Sequence, residues 1–209
     1  MKHQLTFGRA FVFGRSDWEY VFNTFCFGYA VGYHFIATDT GSMNGNFLGI
    51  GADLSINASV LVDAAQDAGL LITNGEFTAF HTEDWLPNST VESSQVVVGP
   101  NNTGPVKFVG SSFWGPSSQI ASINGTGTVS FSSCEFVQWD LQAMDGRAAI
   151  RVHSGKVILQ GNEFRQDKTQ LELGSEVEKA VLVGNIMEGK LQVIDNGAAN
   201  FQQAANAHD

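Results

Sequence analysis

Five segments of this chain repeat one short frame: 69–77 (GLLITNGEF), 105–113 (PVKFVGSSF), 128–136 (TVSFSSCEF), 156–164 (KVILQGNEF) and 180–187 (AVLVGNIM). They align without gaps from their last residue backwards. Such a recurring frame marks a solenoid, because one unit cannot bury its apolar side alone and must stack on copies of itself.

Phe77, Phe113, Phe136, Phe164 and Met187 anchor the alignment. Five residues before each anchor stand Ile72, Phe108, Phe131, Leu159 and Leu182; seven before stand Leu70, Val106, Val129, Val157 and Ala180. Alternation puts both columns on the inward face of a strand. Three residues before the anchors come Asn74, Gly110, Ser133, Gly161 and Gly184. Gly and Asn tolerate positive φ, so a one-residue bend is expected there, between two strands. A further strand precedes each unit, in 59–63, 95–99, 119–123, 149–153, 170–174 and 191–195, which makes three short strands per coil.

Residues 5–57 are less regular. Phe11–Phe13, Tyr20–Phe22, Phe25–Phe27, Tyr29–Val31 and His34–Ile36 read as strands, and Asn44-Gly45-Asn46 reads as a turn. This places one or two aromatic-rich coils at 1–57 and regular coils at 58–197, in one domain. The Ala/Gln/Asn-rich tail, 198–209, reads as a short helix or as disorder.

Composition agrees with an all-β chain: 23 Gly and 16 Phe but 4 Pro in 209 residues, and 15% charged residues. The net charge of −10, with no basic stripe, argues against nucleic acid as a partner. Cys26 and Cys134 are too few for a disulfide framework. No run of 18 apolar residues argues for a membrane span. Met1-Lys2-His3-Gln4 carries no secretion signal, and the abrupt start reads as a piece of a longer, secreted protein.

The coil pattern over residues 58–195 resembles the right-handed parallel β-helix of the pectate-lyase-like superfamily, which includes pectate lyases, polygalacturonases and phage tailspikes. The resemblance implies a carbohydrate ligand and a groove on the strand that follows the long loop. Outward residues there are Asp63, Arg151, His153, Glu172 and Gln192. The flanking loop 78–94 carries His81, Glu83, Asp84 and Trp85; the loop 137–147 carries Trp139, Asp140, Asp145 and Arg147.

Paired carboxylates are what glycosidic cleavage requires, one to protonate the leaving oxygen and one to attack or activate water. The expected catalytic groups are therefore Glu83 or Asp84 with Asp140 or Asp145. Trp85 and Trp139 would stack a sugar ring, and His81, Arg147, Arg151 and His153 would bind its polar groups. Asp140 and Asp145 also have a plainer reading as turn formers, and Arg151 with Glu172 as a surface ion pair. The polygalacturonase and pectate lyase motifs are missing, and there is no zinc pattern and no phosphate loop, so no metal or cofactor is expected. A glycoside hydrolase is the first reading. A non-catalytic carbohydrate-binding module and a self-assembling structural β-helix, most plausibly a homotrimer, are the alternatives.

Overall fold

The computed structural model describes residues 1–80, 83, 86 and 90–209. Its chain winds into a parallel β-solenoid of about eight turns, consistent with a right-handed parallel β-helix. Each complete coil supplies one strand to each of three stacks, a, b and c. The first coil is β1 (Arg9–Phe13), β2 (Glu19–Phe22) and β3 (Phe25–Phe27), and the second β4 (Val31–Phe35), β5 (Met43–Leu48) and β6 (Gly51–Ser55). Coils three and four are β7 (Ala58–Val62), β8 (Ala65–Thr73) and β9 (Glu76–Ala79), then β10 (Ser94–Val98), β11 (Val106–Val109) and β12 (Ser112–Trp114). The fifth is β13 (Gln119–Ile123), β14 (Thr128–Ser132) and β15 (Glu135–Phe136).

In coils six and seven the a and b strands fuse into β16 (Ile150–Gln160) and β18 (Leu171–Val183), followed by β17 (Glu163–Phe164) and β19 (Ile186–Met187) in stack c. β20 (Val193–Asp195) and β21 (Phe201–Ala204) lie on the eighth turn. The fusion joins stacks a and b into one 14-stranded sheet, while stack c is a separate 7-stranded sheet.

The aligned columns are the core. Val106 pairs with Leu70 and Val129, and Phe108 with Ile72 and Phe131, all fully buried. The anchor phenylalanines stack from coil to coil, with ring centroids 5.4 Å apart for Phe77–Phe113, 5.5 Å for Phe113–Phe136 and 4.7 Å for Phe136–Phe164. The expected bend is present at every turn. Asn23, Gly49, Asn74, Gly110, Ser133, Gly161, Gly184 and Ala205 have φ between 50° and 65°. Directly after it, on the last three turns, Asn162, Asn185 and Asn206 form a ladder. Asn162 Nδ2 donates to Asn185 Oδ1, and Asn185 Nδ2 to Asn206 Oδ1, at 2.9 and 3.0 Å. Both cysteines are free and buried, and burial pushes the Cys26 thiol up to about 12 and the Cys134 thiol up to about 11.

Three local expectations are corrected, and one element, the N-terminal helix, was not expected. The tail is no helix: Phe201–Ala204 is a strand paired in parallel with β18, with Phe201 set over Ala180 of the coil below. The chain opens with a helix, α1 (Lys2–Phe7), held down by buried Leu5 against Leu54 and Ile56. Asn44-Gly45-Asn46 lies inside β5 and is not a turn. Gly45 is there because a Cβ would stand 2.5 Å from the Glu19 carbonyl oxygen on the coil below. Tyr29–Val31 and His34–Ile36 are not two strands either; Val31–Phe35 runs through both as β4.

Candidate functional site

The loop 137–147 enters stack a at Ile150, so it overhangs the outer face of that stack. Its conformation is set by two residues the sequence reading assigned to sugar. Trp139 is fully buried, its Nε1 donates to the Thr169 carbonyl at 3.1 Å, and its ring meets Phe164 edge-on at 6.2 Å. It is a core residue and offers no surface for a sugar to stack on, which corrects that expectation. Asp140 is 4% exposed with φ of 52°, and its two carboxylate oxygens accept the backbone N–H groups of Asp145 and Gly146, each at 3.2 Å. It thereby ties off the loop as a turn former. Lys168 fastens the same segment, its Nζ donating to the carbonyls of Trp139 and Asp140 at 3.0 Å.

Beyond the tied turn, charged side chains from three coils meet. Arg147 Nε lies 3.1 and 3.0 Å from the two oxygens of Asp145, and its Nη1 lies 2.5 Å from Glu92 Oε2. Arg151 Nε donates to Glu172 Oε2 at 2.9 Å, as the plain ion-pair reading expects. Asp145, Gly146, Arg147, Arg151 and Glu172 line an open basin of about 270 Å³. His153 is exposed two residues further along β16. Partial burial, and then the Arg151 charge, hold its pKa below the ordinary histidine value.

Electrostatics in the basin favour ions over acids. The hydrogen bond from Arg147 holds both Glu92 and Asp145 below the usual carboxylate range. A glycosidic general acid needs the opposite shift, up toward neutrality. Both groups are about half exposed, so solvent screens the pairing and the stabilisation it brings is small.

Asp145, Arg147, Arg151 and His153 thus come together, while Trp139 and Asp140 point into the body. Glu83 is exposed on the other loop; His81, Asp84 and Trp85 lie outside the described residues. Glu92 and Lys168 were missed. Glu92 sits two residues before stack a of coil four, a place where coil registration alone could have flagged it beside the loop 137–147. Elsewhere on the a face, Asp63 Oδ2 lies 2.7 Å from Nε2 of the buried His34. On the c face the stacked glutamates meet an arginine: Arg165 lies 3.1 Å from Glu163 and 3.4 Å from Glu135. Among the described residues no group of three or more His, Cys, Asp or Glu is placed to hold a metal ion.

The comparison with known proteins adds no relative: no protein-family model matches the chain, and neither a curated protein nor a solved structure matches it. The likeness to the pectate-lyase-like superfamily therefore rests on the coil architecture alone, and what is shown of this chain is a parallel β-solenoid.

Proposed function

We propose that this chain recognises carbohydrate on the outer face of stack a without cleaving it, at the basin of Asp145, Arg147, Arg151 and Glu172 with His153 at its rim. The observation that carries the reading is the convergence of two arginines and two carboxylates on one open basin. Alternating donors and acceptors at fixed spacing suit the vicinal hydroxyls of a sugar, and guanidinium groups make the stronger, charge-assisted bonds. Hydrolysis is the weaker reading. Of its four carboxylates, Asp140 spends both oxygens on a turn, Asp145 is paired with Arg147 and held ionised, Asp84 lies outside the described residues, and Glu83 is exposed.

A panel of immobilised neutral and acidic polysaccharides tests this, with a reducing-end assay on the same samples. Binding without new reducing ends is expected, weakened at least tenfold in Arg151→Ala at an unchanged melting temperature. Absence of binding to every polysaccharide overturns the proposal. Release of reducing ends that is lost in Glu83→Gln or Asp145→Asn overturns it in favour of the hydrolase.

A further inference from the structure

The three outer faces of the solenoid differ in charge, although the same coils build them. The a face carries Arg151 and Glu172; the c face carries Glu76, Glu135, Glu163 and Arg165. The b strands open on a charged rim of Asp67, Lys156, Glu178 and Lys179, but the centre of the b face is nearly blank. Two outward columns cross it in unbroken register, one from Tyr20 to Gln202 and one from Phe22 to Ala204, a residue per column on each of the eight turns. All sixteen positions reach the surface, and Lys107 is the one charged residue among them. In a chain of net charge −10, that face stands apart from its neighbours.

The first coil adds an apolar end to the blank face. Trp18, Tyr20 and Phe22, with Phe25 and Phe27 just around the bend at Asn23, are between 51% and 70% exposed. Trp18 is also held in place at some cost. Its φ is 59°, a left-handed conformation that a bulky residue avoids. Its backbone N–H donates to Oδ1 of the buried Asn44 at 2.9 Å. Asn44 Nδ2 donates to Gln66 Oε1 at 2.6 Å, and Gln66 Nε2 to the Ser42 carbonyl at 2.8 Å. A partly buried amide network thus fixes the backbone that carries a solvent-facing indole.

We infer that the b face is a self-association surface, covered in solution by the b face of a second copy of this chain laid side by side. Two bodies of charge −10 repel, and they approach closely where neither presents acidic groups; the a and c faces do not meet that condition, and the two central columns of the b face do. A basic partner would be met by the acidic faces instead. Eight rungs about 4.8 Å apart make a flat strip roughly 35 Å long. With its side chains it covers on the order of 600 Å² per copy, which brings a pair to the lower range of stable interfaces. The strip periodicity is the same on both copies, so rungs can interlock along its whole length.

Light scattering on the purified chain at neutral pH tests the inference independently of carbohydrate binding on the a face. The expected mass is twice 22.5 kDa, since a contact between like faces closes at two copies. Val109→Glu with Ile158→Glu, or separately Val183→Lys on another coil, is expected to reduce it to 22.5 kDa with the circular dichroism spectrum unchanged. Trp114→Glu on the c face is expected to leave the doubled mass intact. A wild-type monomer at about 100 μM overturns the proposal. So does an oligomer that survives every folded b-face variant, since that would be an end-to-end stack, or one dispersed equally by Trp114→Glu.

Discussion

A single residue turns each coil from stack b to stack c, and its backbone is left-handed on all eight turns. That conformation costs an L residue about 1 kcal/mol and costs glycine nothing. Ser133 and Gly184 occupy the same column, so exchanging their types tests it. At Gly184 an added Cβ would meet nothing within 4 Å, and Gly184→Ala reads backbone strain free of any clash. It is expected to lower stability by about 1 kcal/mol. Ser133→Gly is expected to cost nothing or to add up to about 0.5 kcal/mol, since relieved strain offsets the added freedom of the unfolded chain. Urea unfolding at constant m value decides; equal losses in both variants would sink the argument. This column was readable in the sequence because Gly and Asn recur there. The adjoining ladder was not, because an asparagine after the bend does not by itself show that its side chain pairs with the next coil, as Asn162 and Asn185 do.

At the scale of the element, strands were legible and loops were not. Strands repeat, and Leu70, Val106, Val129, Val157 and Ala180 reveal their direction by alignment. The loop 137–147 occurs once, so nothing in the sequence says whether Trp139 looks in or out, and indoles suit either place. Registration found the basin's strand residues, Arg151 and Glu172, but an ion pair such as Arg147–Glu92 depends on how a unique loop folds back. The buried position of Trp139 has a direct consequence. Trp139→Ala removes a core ring and leaves the Thr169 carbonyl without its donor, and is expected to cost about 3–5 kcal/mol. A surface stacking residue would change stability by less than about 0.5 kcal/mol. Chemical denaturation of the variant separates the two, and a stability loss under 1 kcal/mol would return Trp139 to the surface.

For the whole molecule, stability follows from stacking in one dimension, since each coil contacts its neighbours alone. Coils three to six carry the continuous phenylalanine column, with neighbours above and below each ring. On the terminal turns the inward residues have a neighbour on one side. Phe11, Phe13 and Val21 at one end, and Leu191, Val193 and Phe201 at the other, are partly exposed for that reason. Local opening should therefore be easiest at the ends and hardest in the middle. Hydrogen exchange is expected to protect the amides of β8, β11 and β14 most strongly, with those of β20 and β21 exchanging first. Phe113→Ala weakens two coil interfaces and is expected to cost about 3–5 kcal/mol. Phe201→Ala weakens one and should cost nearer 1 kcal/mol. The b face sharpens this test. If copies pair along it, the outward side chains of β2 are covered, and β2 should exchange more slowly in the wild type than in the Val109→Glu/Ile158→Glu variant. Uniform protection from β2 to β21 in both proteins would show a single cooperative unit and refute the gradient.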